Sequence, residues 1–280
     1  MLFETYVLLI LNLVLLLFTI ILAFIYMMPV LFIRQYHNAA NVLTGNVCLS
    51  TIVCCSYWLI YHILNAFYFS IFQKLQYIRF LFEYLSTMVN CLVVYSLIII
   101  TIDRYCIVIY PHKRIFKQVK WSYILASVQW LIAIIFSSPS LIKRSLWLDI
   151  YRLCFIVGIP SILKIVLNLV IFYSVHKSTR RIHAASESII NSMTRQNHHG
   201  RDMRLLKHII FVFIIFIGGW APYYLDLLID FTSAETSWHL LFFEFLMILS
   251  LLISIIDLFL YNHELRQHVS RSLMKIFRSN

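Results

Sequence analysis

The triplet Asp103-Arg104-Tyr105 places an acid beside a base at the end of a long apolar run. A second short apolar run, Pro111 and a group of Lys and Arg follow it. Charges at the end of an apolar helix favour an ion-pair switch at a membrane edge, in which Arg104 faces the cytoplasm. The alternative is a stop-transfer anchor, for which any charged residues at the helix end would serve.

Patterns typical of catalysis or metal binding do not occur in the sequence. There is neither a Cys-x-x-Cys pair nor a His-Glu-x-x-His pattern, and we recognise no catalytic pair at membrane depth. The six cysteines lie mostly inside apolar runs, as small buried hydrophobes do, and do not form the pattern of a disulfide framework. We therefore expect a protein that is not an enzyme and that binds no metal or cofactor.

The composition indicates a membrane protein. Hydrophobic residues make up 61% of the chain, charged residues only 12%, and the mean hydropathy is +0.84. A soluble domain carries about 25% charged residues. The net charge of +11 admits nucleic acid as a partner, but basic loops between membrane spans explain it more simply. We expect the lipid bilayer as partner and no nucleic acid.

Seven apolar segments divide the sequence. They predict an all-α fold, a seven-transmembrane helix bundle over residues 1–261. Residues 262–280 place apolar side chains at helical spacing between basic ones, which predicts a short amphipathic helix on the membrane surface. The predicted spans are about 6–33, 42–69, 77–104, 121–141, 153–176, 204–229 and 238–261.

The distribution of basic residues predicts the orientation. About 17 Lys and Arg fall on the side that contains Arg104 and the tail, against about 5 on the other side. Such an excess marks the richer side as cytoplasmic. The N-terminus is then extracellular and the C-terminus cytoplasmic, which agrees with an odd number of spans.

Several motifs follow one another in a recognisable order. They are Asp103-Arg104-Tyr105 with Pro111, Trp130 and Pro139 in the fourth span, Pro160 in the fifth, Phe216-x-x-x-Trp220-x-Pro222-Tyr223 in the sixth and Asp257-Leu258-Phe259-Leu260-Tyr261 in the seventh. The ordered set covers nearly the whole chain and resembles the rhodopsin-like (class A) G-protein-coupled receptors. The resemblance implies a plasma-membrane receptor for an extracellular small molecule, lipid or short peptide, with a heterotrimeric G protein and arrestin as candidate partners.

The resemblance also implies a switch at the cytoplasmic side. Pro222 removes a backbone hydrogen bond and makes a hinge beside the bulky Trp220 and Phe216. The alternative is that Trp220 only packs the core. Asp202 lies about 20 residues, or roughly 30 Å, before Pro222, level with Arg104. The family pairs an acid at this position with the arginine, so Asp202 is the expected partner of Arg104. A solvated Asp202 is the alternative.

Several positions depart from the family pattern. Ser56 stands where the second span usually has an Asp, which puts a sodium site in doubt, and Asp257 is the candidate to supply that charge. Leu258 replaces the proline of the seventh-span motif. Arg79 stands where the family has the first cysteine of its extracellular disulfide. Cys154 lies too close to the fifth span to be the second cysteine. We therefore predict no extracellular disulfide.

The resemblance places the ligand among the outer halves of the third, fifth, sixth and seventh spans. Ser86 stands where amine receptors have an Asp, which argues against a biogenic amine bound in the usual way. Three acids near the outer mouth favour a cationic ligand only weakly, because a hydrated rim explains them as well, and Arg79 can pair with Glu83 four residues on. The candidate ligand residues are Glu83, Ser86, Asn90, Tyr223, Tyr224, Asp226 and Glu244.

Lys164 is a base deep inside the fifth span. A buried lysine must pair, extend to the interface or lose its proton, and the sequence does not decide among these. No Lys occurs in the seventh span, which excludes a retinal-binding receptor. One alternative is a chemosensory (odorant-like) receptor of the same fold. The other is a membrane transporter or channel, although we find no internal repeat of the transporter kind.

Overall fold

The fold is taken from a computed structural model, which describes residues 2–33, 38–74, 76–110, 112–142, 145–186, 211, 213–229 and 238–261. Within these ranges the chain is almost entirely helical and contains no strand. The all-α prediction is confirmed for this part of the chain. Eight α-helices account for most of it.

The helices follow in chain order with short connections. Their bounds are α1 Leu2–Phe32, α2 Ala39–Lys74, α3 Gln76–Ile109, α4 Val119–Ser137, α5 Leu146–Arg152, α6 Ile159–Ser186, α7 Phe213–Ile229 and α8 Trp238–Tyr261. A 3₁₀ turn lies between α3 and α4, a second 3₁₀ turn follows α4, and a π turn joins α5 to α6.

Six stretches of helix are long and apolar enough to cross a membrane, which indicates a multi-pass membrane protein. They are α1, α2, α3, α4 with its 3₁₀ turn, α5 continued into α6, and α8. Helix α7 is equally apolar, but its described part is shorter. Lipid-facing side chains remain apolar, so many large hydrophobic residues of α1, α4 and α6 are exposed on the bundle surface.

Helix α3 lies at the centre of the bundle. It packs against α2, α4 and α6, while α1 packs against both α2 and α8. Two buried hydrogen bonds join α1 to α8: Asn12 Nδ2 donates to the Leu241 carbonyl at 3.2 Å, and Tyr26 Oη donates to the Leu258 carbonyl at 3.0 Å. We call the two ends of the bundle the Arg104 end and the Arg79 end, after the residues that lie at either end of α3.

Helices α5 and α6 are joined by a π turn over Leu153–Gly158. Pro160 directly follows the turn and has no backbone N–H, so carbonyls one turn earlier lose their donor. Tyr95 of α3 donates its hydroxyl to one of them, the Phe155 carbonyl, at 3.1 Å. The proline of the fifth span is thus accommodated by a π turn, and α3 satisfies a carbonyl that the proline leaves free.

The fifth span begins earlier than the sequence predicts. Asp149 and Arg152 were expected before or at the edge of that span, yet both lie in α5 and are buried, with 1% and 8% exposure. Two charged residues break the apolar pattern and therefore resemble a loop in sequence. The fold buries them because they pair with each other and with an acid of α3.

Candidate functional site

Asp103 and Arg104 have opposite environments at the end of α3. Asp103 is buried, with 4% exposure, whereas Arg104 is exposed. One Asp103 carboxylate oxygen has no hydrogen-bond partner in the described part of the chain. Tyr105 is half-buried. Neighbouring residues on a helix point about 100° apart, so the triplet divides into an inward acid and an outward base.

Three predicted features of the Arg104 end fall outside what the structure describes. Asp202, the expected partner of Arg104, is outside the described residues. The predicted surface helix 262–280 is outside them as well. Tyr261 is the last residue of α8, and its side chain is not among those described. The Arg104–Asp202 pairing therefore stays a prediction.

Lys164 of α6 is buried, with 7% exposure, so it does not extend to the interface. Its ammonium nitrogen lies 5.6 Å from the centroid of the Phe216 ring of α7. It also lies within electrostatic range of Asp257 on α8 and Arg104 on α3. Lys164 is thus close to residues of α3, α7 and α8, the helices that carry the predicted switch. Sequence spacing could not identify these partners, since each is on a different helix.

The predicted hinge residues are in the core. Trp220 is 1% exposed and Phe216 4%, and their rings stack with centroids 6.1 Å apart, while Pro222 is half-buried. Gly219, next to Trp220, lies so close to α8 that an added Cβ would meet Ser250 atoms at 2.5 and 2.6 Å. The hinge segment is therefore packed directly against α8.

Asn90 forms a buried polar centre between α2, α3 and α7. Its amide nitrogen donates to the Tyr224 hydroxyl at 2.8 Å. Its oxygen accepts from the Trp58 indole at 3.2 Å and from the Cys54 thiol at 3.6 Å. Asn90 and Tyr224 were predicted to lie together near the ligand, and the structure brings them into direct contact. Trp58 and Cys54 were not predicted.

Glu83 belongs to an ionic cluster at the Arg79 end. Its carboxylate lies 3.4 Å from Arg79, the pairing expected from their spacing, and 3.3 Å from Arg152 of α5. Arg152 also contacts Asp149 at 3.3 Å and the Ser140 hydroxyl at 3.4 Å. We call these five residues the ionic clamp. Glu83 was predicted as a ligand residue, but its carboxylate is occupied within the protein.

The clamp joins α3 to the segment that enters the fifth span. In the same region Thr87 of α3 and Ser140 share a buried hydrogen bond of 3.0 Å. All six cysteines, each of which lies in the described part of the chain, are free. Charge pairing therefore connects α3 to α5 in this part of the structure.

Two further predicted ligand residues, Ser86 and Asp226, are less enclosed than Asn90 and Tyr224. Ser86 is half-buried and lies near Tyr57 of α2, whose hydroxyl donates to the Phe82 carbonyl at 2.8 Å. Asp226 is half-buried near the end of α7. Ser56, the position examined for a sodium site, is half-buried, whereas the nearby Ser50 and Thr51 are fully buried. The deepest polar groups of α2 are therefore not at the position that the sequence comparison selected.

Glu244 of α8 pairs with His62 of α2. The His62 Nε2 and Glu244 Oε1 atoms are 2.8 Å apart, and the two side chains are 4% and 5% exposed. The hydrated rim considered for Glu244 is therefore wrong. His62 was not predicted as a site residue; the available signal was a histidine within one apolar span and a glutamate within another. Only the packing of α2 against α8 brings them together.

A second polar network lies between α2 and α4. The Trp130 indole donates to the Asn46 oxygen at 3.2 Å, and the Asn46 amide donates to Gln129. Gln129 is fully buried and donates to the Ser50 hydroxyl at 3.1 Å and to the Leu92 carbonyl at 2.8 Å. The network holds α2, α3 and α4 in register, which gives Trp130 a positioning role.

Comparison with known proteins gives no assignment: no protein-family profile and no curated protein matches the chain.

Proposed function

We propose that the chain is a G-protein-coupled receptor of the rhodopsin-like kind. In this proposal an extracellular small molecule, lipid or short peptide binds among the helices at the Arg79 end. Binding moves the sixth span about the Trp220/Pro222 hinge and frees Arg104 to couple to a heterotrimeric G protein. The proposal includes α7 and the residues before it as a further span, the sixth in chain order, which makes seven in all. It also includes a plasma-membrane location with the N-terminus outside.

The observation that carries the proposal is the polar connection around the hinge. Asn90 of α3 bonds to Tyr224 of α7 on one side and to Trp58 of α2 on the other. Tyr224 lies two residues beyond Pro222, so a displacement near Asn90 acts directly on the outer arm of the hinge. A membrane helix that only fills space has no need of a buried asparagine with several partners.

The Arg104 end supports the same proposal. Arg104 is exposed at the end of a central, otherwise buried helix, where a cytoplasmic partner can reach it. Lys164 and Asp257 lie in electrostatic range of one another inside the bundle. A rearrangement of α7 would move Phe216 away from Lys164 and change the electrostatic environment of Arg104. The ligand site and the coupling surface are then linked through one set of packed helices.

The decisive experiment is recruitment of a heterotrimeric G protein in cells that express the chain. Miniature G proteins of each subtype are recruited at constant receptor expression, with Arg104→Ala as the variant and Arg114→Ala as a matched control in the neighbouring loop. We expect recruitment by at least one subtype that Arg104→Ala abolishes and Arg114→Ala retains. Recruitment that is unchanged by Arg104→Ala would contradict the proposal. Solute transport without G-protein recruitment would also contradict it and would favour the transporter class.

A further inference from the structure

The His62–Glu244 pair has no function in the switch described above. It joins α2 to α8 at 2.8 Å, and both side chains are at least nine-tenths buried. Burying a carboxylate in a membrane bundle is costly, and such residues are usually functional. The pair therefore needs an explanation beyond packing.

The contact between the two groups is short but poorly directed. His62 Nε2 and Glu244 Oε1 both lack a hydrogen bond of good geometry among the described residues, although they are 2.8 Å apart. Buried polar atoms in proteins are nearly always hydrogen-bonded. The carboxylate oxygen thus keeps unused accepting capacity, which a better-placed donor can satisfy.

Aromatic rings surround the pair. The Trp58 ring lies 6.2 Å from the His62 ring, and the Tyr61 ring lies 5.9 Å from it. Tyr57 stacks on Tyr61 at 6.3 Å, and Tyr223 of α7 meets Trp58 edge-on at 6.0 Å. We call these four residues with His62 and Glu244 the aromatic cage.

The charges near the cage favour a cation. Glu244 interacts electrostatically with Tyr57 and Tyr223, and His62 is its ionic partner within the described part of the chain. The nearby Glu83 is already neutralised by two arginines. A buried carboxylate close to aromatic side chains attracts an ammonium group by charge, and the rings add cation–π interaction; both are stronger where water is excluded.

We infer that the aromatic cage binds the ammonium group of an amine ligand, which displaces the His62 imidazole from Glu244 and lies against the rings of Tyr57 and Tyr61. The inference deepens the proposed function by naming the ligand class. It differs from amine binding at the Ser86 position, which has no carboxylate. Tyr223 follows Pro222 directly, so an occupied cage presses on the arm of the hinge.

The test measures thermal unfolding of the purified full chain in lipid nanodiscs with two pairs of probes. Choline and 3,3-dimethyl-1-butanol have nearly the same shape but differ in charge; tyramine and 4-propylphenol form the second pair. Choline presents the cation of a phospholipid headgroup, whereas tyramine presents a primary ammonium. We expect at least one amine to raise the unfolding temperature in a saturable way that its neutral counterpart does not reproduce.

The variants identify the site. Glu244→Gln should weaken amine binding about tenfold or more, because it removes a charged partner. Glu264→Gln, the same change in the tail, should leave binding intact. His62→Asn should strengthen binding, since it removes the imidazole that competes with the ammonium group for the Glu244 carboxylate. If Glu244→Gln fails to fold, Tyr61→Leu should weaken binding several-fold and Tyr61→Phe should not.

Two results would overturn the inference: equal stabilisation by amine and neutral probe, or stabilisation by neither amine. Amine binding that Glu244→Gln and Tyr61→Leu leave unchanged would also place the amine elsewhere. Because these measurements contain no G protein, their outcome is independent of coupling. Amine binding without G-protein recruitment would contradict the proposed function and leave the cage assignment standing.

Discussion

Gly219 of α7 lies directly against Ser250 of α8, so close that a Cβ built on Gly219 would stand 2.5 Å from the Ser250 Cβ and 3.0 Å from the Leu246 carbonyl oxygen. Its neighbour Gly218 has nothing within 4 Å of the corresponding position. The sequence Gly218-Gly219 thus contains one glycine that close packing requires and one that it does not. The requirement lies beside Trp220, where the hinge is proposed.

Substitution of the two glycines by alanine should separate these roles. Gly219→Ala has to push α7 and α8 apart, which we expect to lower the free energy of unfolding by about 1–3 kcal/mol. Gly218→Ala should be neutral or stabilise the helix by up to about 1 kcal/mol, since alanine is the better helix former. Thermal unfolding in nanodiscs measures both.

A second substitution tests whether the clash explains the Gly219→Ala effect. Ser250→Gly removes the side-chain atoms that the new methyl group meets, so it should partly restore the stability of Gly219→Ala. Equal stability of the two alanine variants would show that α7 and α8 are not in close contact at this point.

Arg152 should contribute far more to stability than Arg79, although both contact Glu83. Arg152→Met removes the buried contacts of Arg152 with Asp149, which is 1% exposed, and with Glu83, and loss of one partner of a buried pair costs about 3–5 kcal/mol. The Arg79 side chain is 60% exposed, and exposed pairs contribute about 0–1 kcal/mol. Thermal unfolding of Arg152→Met and of the control Arg79→Met gives the comparison.

The ionic clamp also predicts the response to reduction. A protein held together by charges at this end should unfold at the same temperature with and without dithiothreitol, since its cysteines are free. A fall of several degrees in the unfolding temperature on reduction, in protein whose ionic clamp is intact, would reveal a disulfide that the structure does not contain.

The hydrogen bond of the Tyr95 hydroxyl should contribute to stability because Pro160 leaves a carbonyl of the π turn without a backbone donor. Tyr95→Phe removes the donor to the Phe155 carbonyl and should cost about 1 kcal/mol. The cost should shrink in a Pro160→Ala background, because alanine supplies a backbone N–H that competes for the carbonyls of the π turn. Tyr123→Phe, at a side chain that is 59% exposed, is the matched control. Equal costs in both backgrounds would separate Tyr95 from the proline.

Lys164 and Asp257 should be energetically coupled. A double-mutant cycle with Lys164→Met and Asp257→Asn measures the coupling as the departure from additivity, for which about 0.5–3 kcal/mol is typical of groups in one network. We expect the double variant to be more stable than the sum of the single changes predicts, because each single change already removes the attraction between the two charges. Additive effects would mean that the two groups do not interact.

Neutralising Asp202 should raise basal signalling. If Asp202 pairs with Arg104 in the inactive state, Asp202→Asn releases the arginine and increases ligand-independent G-protein recruitment. Asn197→Asp, in the same polar segment, controls for a general effect of charge. Unchanged basal recruitment at normal expression would leave Asp202 as a solvated charge.

The sequence alone predicted where most of the described helices lie and that they are apolar. Helix α8 occupies the predicted 238–261 because a predominantly apolar run of this length satisfies its backbone hydrogen bonds in a bilayer as a helix. The Arg79–Glu83 pair was likewise predictable, since residues four apart share one helical face. Both features depend on local spacing along the chain.

Tertiary structure decided the sites. Asp149 and Arg152 resemble a loop in sequence, and the ion pairs of Arg152 with Asp149 and with Glu83 of α3 explain why both are buried. His62 and Glu244 are 182 positions apart in the chain, and nothing in the spacing of either residue indicates the other. Contacts between helices depend on how each helix is rotated and which neighbour it meets, and these are set by packing of the whole bundle rather than by local pattern.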